Sequence, residues 1–535
     1  MLRGLVITVV CLSLLSTCSV TAVAETDDPE IVDLYPNPAA MWDEGEFVTL
    51  RIPAGTNLSE YTLADEHVRV SLSNATAVID QTDDQYITFS TDANRTAALT
   101  DRTVVEISAS LRLADRGDRV RLLRHGTAVD EVTYDRAPEA QVYDVQNETW
   151  RPLGATDKPV ISASGGDVET FVLPDEPDRV VEFLESATDR ILLAGYTIAA
   201  DDVVETLLDA HERGVDVEVV AEGSPVGGMD GYEAAALDRL DREGVPVQVI
   251  GGKKARYRFH HAKYAVVDDR ALVTTENWKQ SGTGGKSSRG WAVVTTQEEI
   301  VDGLVDIYRA DTGWEDAIPW DEYDDISLVD GGTAQGTHPT VFESETHTVD
   351  RTQLLVAPDN AEETILATIE SAEESIDVKQ VRISDPDFPF LKAVVAAAER
   401  GVEVRILLSA KWYVEEENRE LKAWLEAQAD RSDLPLSVRL ADPGEEFEKI
   451  HAKGLIVDRD ITFVGSINWN NNSVRNNREV GLLLHSEDVG EYFTAVFESD
   501  WSRDGSWDLP IGYVAACLGA VLSAVVAAQR LEFEN

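Results

Sequence analysis

One short pattern occurs twice in this chain. Residues 261–268 read HAKYAVVD and residues 451–458 read HAKGLIVD, so H-x-K-x-x-x-x-D recurs 190 positions apart. The likeness extends upstream. VVEFLESATDRILLAGYTI (180–198) parallels TILATIESAEESIDVKQVRI (364–383), and ERGVDVEVV (212–220) parallels ERGVEVRIL (399–407). A chain that repeats itself in this way must fold as two copies of one architecture. On an extended segment residues i and i+2 share a face. His261 and Lys263 therefore point one way, as do His451 and Lys453, while Ala262 and Ala452 face the other. Each apolar run ends at an Asp, Asp268 or Asp458, and is followed by LVTTENW (272–278) or FVGSINW (463–469). A His, a Lys, a hydroxyl (Thr275, Ser466) and an amide (Asn277, Asn468) thus gather at strand ends in both copies.

Around these motifs apolar runs alternate with helical patterns, the α/β signature. Each unit reads helix, strand, helix, Arg-Gly turn, strand. Gly214 and Gly401 follow their helices where a left-handed cap is needed. Val305–Trp314 and Phe493–Trp501 match as closing helices. The units are expected over 166–314 and 351–502, with an acidic, Gly/Thr-rich linker over 315–350.

The doubled signature and its flanking repeats, covering about residues 168–502, resemble the phospholipase D superfamily. The resemblance implies two α/β repeats packed about a pseudo-two-fold axis, with both motifs in one site. It implies His261 as nucleophile, forming a phosphohistidine, and His451 as the acid/base; near-symmetry leaves the exchanged roles open. Lys263 and Lys453 would clamp the phosphoryl oxygens, with donors from Thr275, Asn277, Ser466 and Asn468. A carboxylate would hold each imidazole, with Asp268, Asp458 and Glu479 as candidates. No zinc-type spacing is present, and neither metal nor cofactor is expected. Unit one departs from the pattern: Thr274 replaces a Gly, and Gly290 stands where unit two has Glu479. Its half of the site is therefore expected to be looser, shaped for a particular substrate, or partly degenerate.

The stretch GGKKARYRFHHAKY carries Lys253, Lys254, Arg256 and Arg258 ahead of the first motif; Lys279, Lys286, Arg289, Arg475 and Arg478 follow the two motifs. These read as a positive patch for a polyanionic substrate, or as balance for nearby acids. A phospholipid head group, hydrolysed or transferred, is the favoured substrate. An extracellular nuclease, with Tyr257, Trp278 and Trp291 as stacking platforms, is the alternative. A non-catalytic surface binder built on a worn enzyme fold is a third.

Residues 28–136 read as all-β, with short Val-, Ile- and Thr-rich runs separated by Gly, Asp and Asn clusters. EGEFVTL, ADRGDRVRLL and GTAVDEVTYD resemble the lamin-tail domain, which implies an immunoglobulin-like sandwich. A linker is expected over 137–165. Residues 1–24 end in Ala22-Val23-Ala24 and read as a signal peptide. Residues 509–528 form an uncharged apolar run long enough to span a bilayer. The whole is thus expected to be an exported, multidomain ectodomain anchored in the cytoplasmic membrane by a C-terminal transmembrane helix. Asn57, Asn74, Asn94, Asn147 and Asn471 begin N-x-S/T sequons, so glycosylation is expected if the chain is exported. Cys11, Cys18 and Cys517 all lie near the ends, so no disulfide staples the body. Acidic residues number 99 against 46 basic, a net charge of −53, yet 43% of residues are hydrophobic. Disorder needs a poverty of apolar residues, so this balance points to a folded protein of a high-salt environment, where salt screens the self-repulsion.

Overall fold

The computed structural model describes residues 28–502, except for 39–44, 74–84, 98, 101, 108–110, 140, 147, 154–155, 157, 253–254, 285–287, 315, 333, 335–337, 384 and 442–446. The expected signal peptide, the apolar run 509–528, the three cysteines, the sequons at Asn74 and Asn147, and Lys253, Lys254 and Lys286 lie outside the described residues. Among the described residues no helix is long and apolar enough to cross a membrane.

The two repeats have the same sheet order. In the first, Val247–Ile250, Asp216–Glu222 and Arg190–Gly195 run parallel, and Tyr264–Val267, Arg270–Thr274, Ser288–Thr295 and Asp167–Leu173 continue the sheet antiparallel. In the second, Leu436–Ala441, Glu403–Ser409, Ser375–Gln380, Gly454–Val457, Ile461–Gly465, Glu479–His485 and Arg351–Ala357 follow the same path. The repeated Glu-Arg-Gly turn has a clear physical basis. Gly214 and Gly401 have φ of +91° and +97°, a region that costs a side chain energy. Arg213 donates to the carbonyls of Glu185 and Ala187, and Arg400 to those of Glu370 and Ala372. Glu185 and Glu370 end the helices Asp178–Glu185 and Ala361–Glu370, whose last carbonyls lack partners within the helix, and Ala187 and Ala372 lie two residues beyond.

Two segments expected as linkers are built into these sheets. Ile161–Ser164 pairs with the first strand of the second repeat, and Glu345–Thr348 pairs with the first strand of the first repeat. Each repeat's outer edge is thus covered by a strand taken from the chain just before the other repeat. Bare strand edges invite unwanted pairing, and the exchange replaces two long edges by short four-residue ones. One apolar core includes residues of both repeats, among them Ile300, Leu304 and Ile307 from the helix Glu298–Thr312 and Phe493, Val496 and Phe497 from the helix Glu487–Trp501. The repeats are therefore halves of one body.

At the N-terminal end a six-stranded and a four-stranded sheet share a core that includes Leu34, Leu50, Leu63, Phe89 and Leu122. This region does not stop at residue 136. Gln141–Asp144 and Thr149–Pro152 complete the larger sheet, because the paired Tyr143 and Trp150 share one face and pack against this core while Val142 faces the other side. The following segment is fastened to the second repeat: Thr156 donates from its backbone and hydroxyl to Asp359, and Asn360 donates to the Lys158 carbonyl.

Candidate active site

Each motif is hydrogen-bonded to the opposite repeat. His260 bridges Arg478, and the His261 amide donates to the Arg478 carbonyl at 2.8 Å. Lys449–Ile450 pairs with Ser288–Arg289, and the His451 and Ala452 amides both donate to the Arg289 carbonyl at 3.0 Å. This crossing delivers both H-x-K segments to one place. It depends on Gly454: a Cβ there would lie 2.2 Å from the Trp291 ring, which comes from the first repeat.

Both histidines are anchored through Nδ1 by a carboxylate from the other repeat. His261 Nδ1 lies 2.7 Å from Glu479 Oε2, and His451 Nδ1 lies 3.0 Å from Glu276 Oε2. An Nδ1–H donated to a carboxylate leaves Nε2 as the free, basic nitrogen. Lys263 and Lys453 are fully buried. Their Nζ atoms donate to the His261 and His451 carbonyls at 2.6 and 2.7 Å, and Lys453 Nζ also lies 3.2 Å from His451 Nε2. Tyr196 closes one wall, its ring 4.6 Å from that of His261.

Glu276 escaped the sequence reading, which saw only that Gly290 lacks the carboxylate of Glu479. Leu173 faces Gly290 in the first repeat as Ala357 faces Glu479 in the second, so the two positions are equivalent. A Cβ on Gly290 would lie 2.4 Å from Glu276 Cγ and Oε1. The carboxylate has moved to the neighbouring loop, and the glycine makes room for it. The signal lay in TTENW against GSINW: an acid appears at 276, where the second repeat has Ile467. The first half of the site is therefore fully equipped, contrary to the expectation that it is looser.

Other expectations need correction. Asp268 and Asp458 do not hold the histidines. Asp268 accepts from the backbone of Thr188, Asp189 and Arg190, and Asp458 from Glu373, Glu374 and Ser375. Those residues lead into the strands Arg190–Gly195 and Ser375–Gln380, at the sheet end away from the histidines. The motif's Asp is a turn clamp. The Thr275 hydroxyl accepts from the Trp291 amide, and Ser466 Oγ exchanges hydrogen bonds with Val480; both latch strands together. Asn277 Oδ1 is buried with no hydrogen-bond partner among the described residues, and Asn468 is half-buried; these amides remain available to a substrate. The arginines of the expected positive patch are ion-paired: Arg256 with Asp316, Arg289 with Asp175 and Asp500, and Arg478 with Asp311 in the interior, and Arg475 with Glu362 and Arg258 with Glu139 nearer the surface. Buried arginines need such partners, and the balancing of nearby acids accounts for them. Tyr257, Trp278 and Trp291 are at most 2% exposed, so they pack the core instead of stacking bases.

The clamp role makes a prediction. Asp458→Ala should cost about 2–3 kcal/mol of folding stability in urea unfolding, the scale of a lost charged hydrogen-bond acceptor, while kcat of the folded protein changes little. For Asp268, burial pushes the carboxyl up but the three backbone N–H groups hold it below its ordinary value. Because the folded-state value is depressed, its stabilisation is present above about pH 4 and is lost as pH falls through the folded-state value.

A family model described as "Cardiolipin synthase, PLD-like domain" matches residues 180–311 and 365–501, just over half of the chain. The chain belongs to the phospholipase D superfamily. Among its relatives, the mitochondrial cardiolipin hydrolase of Chlamydomonas reinhardtii is 24% identical over 144 residues, covering 22% of this chain and 61% of that protein. Cardiolipin synthase 1 of Staphylococcus aureus (strain COL) is 23% identical over 339 residues, covering 61% of this chain and 65% of that protein. The chain thus spans less than two thirds of the length of both. A phosphatidylserine synthase structure from Haemophilus influenzae aligns with a TM-score of 0.47 at 15% identity, over 63% of this chain and 85% of that one.

The electrostatics of this phospholipase D-type site are not symmetric. Burial lowers His261 to about 4 despite Glu479 beside it, and lowers His451 well below its ordinary value, with Lys453, Lys449 and Lys263 adding to the effect. Both imidazoles are neutral at pH 7. Burial also pushes Glu479 up, but His261 and Lys263 more than offset this, and Asn477 donates to its Oε1 at 3.0 Å; its net shift is downward. Glu276 is raised to about 7 by burial, and its Oε1 has no hydrogen-bond partner among the described residues. Lys453 is lowered to about 8 by burial.

Proposed function

We propose that this protein is a phosphodiesterase working through a phosphohistidine on His261, and that its substrate is a phospholipid. The observation that carries the assignment of roles is the difference between the two carboxylates. Glu479 is ionised at pH 7, so His261 presents a neutral Nε2 lone pair to phosphorus. Below about pH 7 the Glu276–His451 pair holds one proton more than its counterpart. Such a proton belongs to the pair and reaches Nε2 when negative charge develops there. His261 Nε2 attacks phosphorus, the bond to the leaving oxygen breaks, and the Glu276–His451 pair protonates that oxygen. Lys263, Lys453 and Asn277 stabilise the equatorial oxygens, and Glu479 stabilises the phosphorylated imidazolium. Water or an alcohol then attacks from the vacated side, returns its proton to His451, and breaks the P–N bond.

The phospholipid reading is favoured because, among the described residues, Arg256, Arg289 and Arg478 are spent on buried ion pairs with Asp316, Asp175, Asp500 and Asp311 and are not offered to a nucleic-acid backbone. Export, surface location and a membrane anchor at 509–528 belong to the same proposal and rest on the sequence alone; so does a lamin-tail-like docking role for the N-terminal sheets.

The test incubates the protein in molar salt with phosphatidylglycerol vesicles and, separately, with single- and double-stranded DNA. Lipid turnover followed by phosphorus NMR, slowed at least about a hundredfold in His451→Ala, is the expected result. DNA cleavage without lipid turnover would replace the reading with a nuclease. In the same assay kcat/KM should fall as pH rises through about 7, where the Glu276–His451 pair loses its extra proton, and again below about 4, where His261 is protonated. Glu276→Gln should remove the alkaline limb. A limb that survives would belong to another group, with Lys453 the first suspect.

A further inference from the structure

Exposed large apolar side chains concentrate at the mouth of the site. Trp412 is 80% exposed, Val226 75% and Leu328 62%, with Tyr413, Val329 and Tyr232 beside them in the chain or across a strand pair. Trp412 and Tyr413 lie in the segment that leaves the strand Glu403–Ser409; Val226 leaves the equivalent strand Asp216–Glu222. Leu328–Val329 pairs with Met229–Asp230, directly after the Val226 loop.

Topology puts both segments beside the histidines. The motif strands run antiparallel to Arg190–Gly195 and Ser375–Gln380, which lie parallel to the strands just named. The starts of the motif strands, preceded by Lys263 and Lys453, therefore share a sheet end with the two apolar loops. One direct contact and one charge effect agree. The Val226 amide donates to Tyr196 Oη at 2.6 Å, and Tyr196 packs on His261. On the other side Tyr413 feels the charge of Glu276, the partner of His451. Half-buried cations stand at the same mouth: Lys449, whose charge acts on both Glu276 and His451; Lys279, which acts on Glu276; and Lys411, 3.5 Å from Glu448.

Apolar side chains on both rims of one opening, with cations between them, match a flat surface that is apolar within and anionic at its face. Trp and Tyr favour that boundary, and an exposed apolar patch of this kind marks an interaction site. We propose that the two rims enter the surface of a lipid bilayer, with Trp412 and Tyr413 on one side and Val226 and Leu328 on the other, while Lys279, Lys411 and Lys449 meet head-group phosphates. The proposal rests on the phospholipid reading above. A head group then reaches His261 and His451 without its lipid leaving the membrane, so the rims specify aggregated lipid over the same lipid in free solution.

Two measurements on the full chain test this. Vesicles of phosphatidylcholine and phosphatidylglycerol carrying bromine on their acyl chains should quench the share of fluorescence contributed by Trp412, taken as the difference between the protein and Trp412→Phe. This readout is local, so it does not depend on how the chain ends hold the protein to the vesicle. In the double variant Trp412→Ser/Val226→Ser, turnover of vesicle lipid should fall by about tenfold or more, while turnover of a short-chain phospholipid below its micelle concentration stays within about twofold. An unquenched Trp412, or equal losses on both lipid forms, overturns the inference and leaves the phospholipid reading intact. Quenching of Trp412 by single-stranded DNA in place of vesicles would make the rims a nucleic-acid surface and overturn it as well. A wild-type protein that turns over neither lipid form would sink the phospholipid reading itself.

Discussion

His261→Ala should lower turnover of every phosphodiester by at least about a thousandfold, because no covalent intermediate can form. His451→Ala should behave differently. With an alkyl leaving group the loss should be about 100- to 10,000-fold, the range of a positioned general acid. With a p-nitrophenyl ester, whose leaving group needs no proton, the first step should survive. The second step, which needs a base for water, should stall. Intact-mass measurement at alkaline pH should then find a phosphoryl adduct on His261 in the His451→Ala variant. An adduct on His451 in the His261→Ala variant instead would exchange the two roles. The asymmetry behind this expectation is physical: Glu479 is held ionised by His261 and Lys263, whereas Glu276 is raised by burial to about 7.

Gly290→Ala should lower kcat by about a hundredfold without unfolding the protein. The new Cβ would lie 2.4 Å from Glu276 Cγ and Oε1, far inside contact distance, so Glu276 must swing away from His451. The imidazole then loses the partner that fixes Nδ1 and stores the proton. A double variant, Gly290→Glu with Glu276→Ala, rebuilds the arrangement by which Glu479 serves His261, and should recover at least about tenfold of the lost activity. A circular-dichroism melt unchanged from wild type would establish that the single variant acts on the site and not on folding. If Gly290→Ala keeps full activity, Glu276 does not position His451 in turnover.

The residues that escaped sequence reading share a cause. Glu276 and His451 are 175 positions apart, and Glu479 and His261 are 218 apart. Only the comparison of TTENW with GSINW sets Glu276 apart from the chain's many other acidic residues. Its role follows from a strand register that puts Gly290 opposite Leu173. Asp268 and Asp458 were misread for the opposite reason: proximity in sequence suggested a catalytic partner. A four-residue strand of about 3.3 Å per residue carries each Asp to the far end of the sheet, where it binds backbone. The arginines near the motifs looked like a patch in one dimension, but their partners arrive from distant helices and loops, as Asp311, Asp316 and Asp500 do.

What the sequence determined by itself was the duplication, the α/β pattern of each unit, and the pairing of His with Lys at alternate positions. All of these are periodic or repeated, so they survive without knowledge of the fold. The β-rich character of the N-terminal region was legible in the same way, through alternation and turn residues. Only the tertiary structure decided which carboxylate serves which histidine, that the supposed linkers carry strands exchanged between repeats, and that the apolar segments around Val226 and Trp412 border one opening. Each of these depends on two segments meeting across a sheet or a repeat boundary, and one chain's residue order records no such meeting.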